Sequence, residues 1–158
     1  MRQIAVIGTG SCPQDSEVGL LAEEVGSRLA QAEVAVVCGG LGGVMEAACR
    51  GAIEAGGTAI GILPGNSIAE ANRYCTHAIA SGVGHARNLA VVASGEAVIA
   101  VGGEWGTLSE IGLARSLERA VIVLRSWELG GRGRMEGAPG VLQADSPRRA
   151  VELALESL

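Results

Sequence analysis

Residues 33–57 read EVAVVCGGLGGVMEAACRGAIEAGG, and this stretch decides the fold. Residues 33–37 (EVAVV) are a short β-branched run without polar alternation, the pattern of a strand covered on both faces. It runs into Cys38-Gly39-Gly40-Leu41-Gly42-Gly43, and residues 44–55 then read as a helix closed by Gly56-Gly57, a C-cap signal. A strand, a glycine-rich turn and a helix make one βα unit, the building block of a parallel sheet.

The same unit recurs on either side. Strands are expected at 3–7 (QIAVI), 58–63 (TAIGIL), 97–101 (AVIAV) and 120–124 (AVIVL), with a weaker one at 74–79. Helices are expected at 16–31, with Ser16 as N-cap, at 86–93, at 108–117, and after Ser146-Pro147, where proline takes the first helical position. Residues 66–73 read as loop. Residues 126–140 (SWELGGRGRMEGAPG) read as a glycine-rich loop, in which Arg132 and Arg134 are either solvated or part of a lid over an anion. The expected architecture is α/β: a Rossmann-like, doubly wound, mostly parallel sheet with helices on both faces, built as one domain over residues 1–158. Ligands of such sheets bind outside the carboxyl ends of the strands, where the strand order reverses.

Composition removes several function classes. Apolar residues make up 48% of the chain, enough for a globular core. No apolar run reaches the roughly 18 residues a membrane helix needs, and the chain opens directly on a strand, so a cytoplasmic protein without membrane contact is expected. A net charge of −5, two Trp, one Tyr and no Phe leave neither a basic face nor a stacking platform, so nucleic acid is not an expected partner. All 12 basic residues are arginine. Without lysine there is no Walker-type phosphate grip and no Schiff base to pyridoxal phosphate. Cys12, Cys38, Cys49 and Cys75 form no C-x-x-C pair and are expected as buried free thiols, with no metal site. Helices rich in alanine, valine and leucine with few charges imply a homodimer or higher homo-oligomer.

Three glycine-rich loops follow strand ends and should converge on one edge of the sheet. They contain Gly8-Thr9-Gly10-Ser11, the loop from Gly39 to Gly43, and Gly102-Gly103-Glu104-Trp105-Gly106-Thr107. Glycines let the backbone approach a ligand, and a helix N-terminus beyond the turn favours an anion. The candidate ligand-binding residues are Gly8, Ser11, Gly39, Gly40, Gly42, Gly43, Gly103, Gly106 and Thr107; the plainer reading is a set of tight turns. The first loop lacks the third glycine of the dinucleotide fingerprint, which argues against a conventional NAD enzyme. Glu110 falls at the acidic position of a capping box begun by Thr107. Glu46 and Arg50, four apart on a helix, read as a local ion pair. Met45 reads as core, His85 as a solvated or capping residue, and His77 carries no signal.

In order and spacing, CGGLGGVMEAACRGAIEAGGTAIGILPG, GHARN and AVGGEWGTLSEI resemble one Rossmann-like family. It contains the LONELY GUY phosphoribohydrolases and the molybdenum-cofactor carrier proteins, and its members are often labelled lysine decarboxylases. The resemblance spans roughly residues 1–125 and is greatest to the carrier-like branch. It implies binding of a phosphorylated small molecule, a nucleotide monophosphate or a molybdopterin-type ligand, with no cofactor required. Its alternative implication is hydrolysis of a nucleoside 5′-monophosphate to free base and ribose 5-phosphate. The family's catalytic arginine and glutamate would fall on Arg87 and Glu110, and His85 also matches. Gly84, Asn88 and Gly102-Gly103-Glu104 depart from the hydrolases' methionine, lysine and Pro-Gly-Gly. The decarboxylase label fails for want of a lysine.

Overall fold

A computed structural model describes residues 1–126 and 140–158. The reading of a lid carrying Arg132 and Arg134 falls on 127–139 and lies outside the described residues. In chain order the elements are β1 (Gln3–Gly8), α1 (Glu17–Gln31), β2 (Ala35–Cys38), α2 (Val44–Glu54), β3 (Ala59–Leu63), β4 (His77–Ala80), α3 (Arg87–Ser94), β5 (Ala97–Val101), α4 (Trp105–Ser116), β6 (Ala120–Leu124), β7 (Val141–Ala144) and α5 (Pro147–Glu156). Short 3₁₀ turns lie at Ile68–Glu70 and Gly84–Ala86.

The strands form one sheet in the order β4-β3-β2-β1-β5-β6-β7, and every pairing among the described residues is parallel. The chain starts at the central β1, winds outward through β2, β3 and β4, then returns to β5 on the other side of β1. Order therefore reverses between β1 and β5, and the connections leaving their carboxyl ends diverge to open a crevice.

Period-two alternation divides the apolar strand residues between two layers. Ile4, Val6, Val36, Ile99 and Ile122 face α1, α2 and α5 through Ala22, Val25, Leu29, Ala48 and Val151. Ala5, Ile7, Val37, Val98 and Val121 face α3 and α4 through Val91, Val92, Ile111 and Ala114. Both faces being covered is why the strands carry unbroken apolar runs. The helices α1 and α2 lie unusually close. A Cβ on Gly26 would come within 2.0 Å of the Ala48 carbonyl oxygen, and one on Gly51 within 1.9 Å of the Glu23 carbonyl oxygen.

Three local expectations need correction. Arg50 pairs with Glu23 on α1 rather than with Glu46 one turn back, because the close α1–α2 approach brings that carboxylate to it. Residues 141–144 form a seventh strand that was not expected; its VLQA sequence is exposed at the two middle positions. Helix α4 begins at Trp105, three residues earlier than expected. Its capping box pairs Glu104 with Thr107, the Glu104 N–H donating to Thr107 Oγ1 at 3.4 Å. Glu110 is thereby released from the capping role its spacing suggested.

Candidate functional site

The β1–β5 crevice holds a cavity of about 180 Å³. Its walls come from the end of β1 (Gly8, Gly10), the turn after β2 (Gly39), the start of α2 (Met45), the start of α3 (His85, Arg87, Asn88) and the first turns of α4 (Glu104, Gly106, Thr107, Glu110). Of the residues singled out in the sequence, Gly8, Gly39, Arg87, Gly106, Thr107 and Glu110 meet here. Ser11, Gly40, Gly42, Gly43 and Gly103 are not part of the cavity wall.

Two of these glycines are required by packing. Gly40, at φ +73°, lies against Leu63 and Gly61, where a side chain would collide. Gly43, at φ +62°, would place a Cβ 2.4 Å from the Thr9 carbonyl oxygen. That same oxygen accepts the Val44 N–H at 3.0 Å, so the first amide of α2 joins two loops. Gly10, Met45, Asn88 and Glu104 line the cavity without having been singled out as ligand-binding; the mismatch of Asn88 and Glu104 with the hydrolase pattern was the only signal at those positions.

Arg87 opens α3, an electrostatically poor place for a cation, and is only 8% exposed. Its guanidinium lies flat on Gly39, where an added Cβ would be 2.4–2.7 Å from Nη2, Nη1 and Cζ. Glycine is needed at 39 to admit the arginine. Nη1 donates to Asn88 Oδ1 at 2.7 Å and stands 3.9 Å from Glu110 Oε1. The buried Nε has no hydrogen-bond partner among the described residues. Burial lowers the Arg87 pKa, with Glu110 and Cys38 pulling it back up; a guanidinium nonetheless keeps its charge.

Glu110, also 8% exposed, is pushed up to about 7 by burial, against the opposing pull of Arg87. At 3.9 Å the pair attracts but is not hydrogen bonded. Across the mouth, Thr9 Oγ1 donates to Glu104 Oε1 at 2.7 Å, tying the β1 loop to the start of α4. The site thus combines a buried cation with an unmade bond, a carboxyl poised near neutrality, and a second carboxylate held at a helix start.

A reversal point in a parallel sheet, with a glycine-walled cavity at the strand ends, places the molecule among the Rossmann-like α/β proteins whose ligand crevice lies at such a point. More narrowly, the chain belongs to the SLOG cluster4 family, whose model matches residues 1–151. An uncharacterized protein of Archaeoglobus fulgidus is 42% identical over 125 residues, covering 79% of this chain and 81% of that one. Among solved structures, the molybdenum cofactor binding protein of Rippkaea orientalis superposes with a TM-score of 0.87 at 33% identity, covering 98% of this chain and 96% of that one. The molybdenum cofactor carrier protein of Chlamydomonas reinhardtii gives 0.87 at 29% identity, covering 99% and 97%. No helix among the described residues is long and apolar enough to cross a membrane.

Proposed function

We propose that this chain binds a small phosphorylated ligand of the molybdopterin type in the β1–β5 crevice and carries it without turnover. The observation behind this reading is Arg87: buried, charged, set on Gly39 in the cavity wall, and 3.9 Å from a Glu110 carboxyl to which it is not hydrogen bonded. A buried guanidinium without a hydrogen-bonded carboxylate is costly, and a phosphate in the cavity supplies charge-assisted hydrogen bonds to it. The phosphate settles between Arg87 and the first turn of α4, where Gly106 leaves the approach open. The names of the Rippkaea and Chlamydomonas neighbours support the cofactor class. Exposed Val83 and Leu89, just before and within α3, support self-association beside the site, which light scattering on a sizing column reads directly.

Binding of molybdopterin and of AMP, followed by titration calorimetry, tests the reading. Arg87→Ala should weaken the bound ligand by about 10- to 100-fold, the loss of one or two charge-assisted hydrogen bonds. Undiminished affinity in that variant overturns it.

Glu110 favours a second reading. A carboxyl titrating near 7 beside an arginine suits general acid–base work on a nucleoside monophosphate. Release of free base from AMP that disappears in Glu110→Ala would establish a phosphoribohydrolase; binding without release leaves the carrier.

A further inference from the structure

Next to the 39–43 loop, three of the four cysteines come together. Cys38 Sγ lies 3.4 Å from Cys49 Sγ, and Cys49 Sγ lies 3.9 Å from Cys75 Sγ. They come from three separate elements, the end of β2, the middle of α2 and the segment before β4. Cys38 and Cys49 are buried, whereas Cys75 is only half-buried. Among the described residues no group is arranged to hold a metal ion.

The thiols also support the loop beside them. Cys38 Sγ accepts the Gly40 N–H at 3.3 Å. The Asn72 N–H donates to the Gly40 carbonyl at 2.8 Å, and its Nδ2 donates to the Leu41 carbonyl at 2.9 Å while lying 3.9 Å from Cys49 Sγ. Gly61 on β3 is packed between Cys75 Sγ and Gly40 Cα, at 2.8 and 2.9 Å from where its Cβ would be. Cys49 and Cys75 therefore touch the groups that hold residues 40 and 41, and Cys38 accepts the N–H of Gly40, the residue after the glycine on which Arg87 rests.

We propose that Cys49 and Cys75 form a redox-modification site, oxidised to a disulfide by hydrogen peroxide, and that the new bond loosens the 39–43 loop. In the first step the Cys75 thiolate attacks the peroxide: an S–O bond forms, the O–O bond breaks, and the departing oxygen leaves as water once protonated. In the second, the Cys49 sulfur gives up its proton and attacks the Cys75 sulfenic sulfur; the S–S bond forms and the S–O oxygen leaves as a second water. Two thiols lose two electrons and two protons, and the peroxide is reduced to water. Hydrogen bonding within the cluster, from Cys38 first and Cys49 second, holds the Cys75 thiol below its usual range, whereas hydrogen bonding to Cys38 and Cys75 and burial push the Cys49 thiol up; Cys75 is therefore the first nucleophile, and Cys49 loses its proton only as it attacks. The bond draws two sulfurs from 3.9 Å to about 2 Å, pulling Cys49 away from Cys38 and Asn72. None of this depends on the ligand proposed above.

The test uses the full chain with Cys12→Ser, treated with hydrogen peroxide, blocked with N-ethylmaleimide and digested with trypsin. Cleavage after Arg28, Arg50, Arg73 and Arg87 separates 29–50, which holds Cys38 and Cys49, from 74–87, which holds Cys75. The expected result is a cross-linked pair of these peptides, lighter by two hydrogens, that persists in Cys38→Ser and is lost in Cys49→Ser. Fragmentation of the parent cross-link assigns the bond even where a serine variant does not fold. Amides at 39–43 should exchange about tenfold faster in the oxidised protein. A bond confined to 29–50, a Cys75 sulfinic acid alone, no oxidation, or unchanged exchange at 39–43 would each overturn the proposal.

Discussion

Replacing Glu110 with glutamine should stabilise the protein at pH 8 relative to its effect at pH 4.5. The carboxyl is 8% exposed and titrates near 7 instead of 4.5, because burial outweighs the attraction of Arg87. Between those values the folded chain keeps a proton that the unfolded chain has released. Stability accordingly falls as pH rises through the window, and the buried carboxylate exerts its full cost above about 7. At about 1.4 kcal/mol per pH unit, the displacement corresponds to about 3 kcal/mol. Glutamine keeps the shape and removes the titration. Urea unfolding followed by circular dichroism at pH 4.5, 6 and 8 should show the variant gaining about 3 kcal/mol on the wild type across the range. A difference that stays constant with pH, or shrinks, would refute the assignment of Glu110 as a buried acid opposed by its surroundings.

Other consequences can be measured alongside it. Because Glu110 ionises beside the place given to the phosphate, the affinity of Glu110→Gln for AMP relative to wild type should rise about tenfold from pH 5.5 to 8.5 in calorimetry; a flat ratio would place the phosphate elsewhere. Gly39→Ala should push the Arg87 guanidinium off its seat and weaken AMP binding about tenfold, with stability changed by no more than about 1 kcal/mol, since the displaced group is the end of a flexible side chain. Wild-type binding in that variant would show that Arg87 does not need this seat. Gly51→Ala should cost about 3 kcal/mol in denaturant, because its Cβ meets the Glu23 backbone. Gly112→Ala on the exposed side of α4, with nothing within 4 Å, should instead stabilise by up to about 1 kcal/mol.

Much of the sheet was legible because burial on both faces leaves runs such as AVIAV and AVIVL that suit little else; β5 and β6 have the bounds their sequences implied. Ser16 and Ser146 cap α1 and α5 as read, each accepting an N–H three residues on. The edge strand β7 was not legible, since a four-residue strand exposed at its middle two positions has no apolar run to announce it. The start of α4 was misplaced for a different reason. Gly106 lies in the first turn of a helix, and glycine there reads as loop, so Thr107 took the cap position that Glu104 holds. Arg87 was legible as a candidate by resemblance, but its seat on Gly39 depends on contact across 48 residues, which local spacing does not encode. The thiol cluster is likewise a product of topology: Cys38, Cys49 and Cys75 meet only once β2, α2 and the approach to β4 have packed.

Glu104 is itself an occupant of the crevice. Fixed by Thr9 at 2.7 Å and capping α4, its carboxylate is an anion supplied by the chain itself, at an effective concentration no free solute matches. Incoming anions compete with an intramolecular rival for the helix end. A simple carboxylate gains nothing by replacing it, whereas a phosphate that also satisfies Arg87 has a second interaction to set against the loss. Selectivity then arises by prior occupancy as much as by fit, and Glu104→Gln should admit weaker anions that the native crevice turns away.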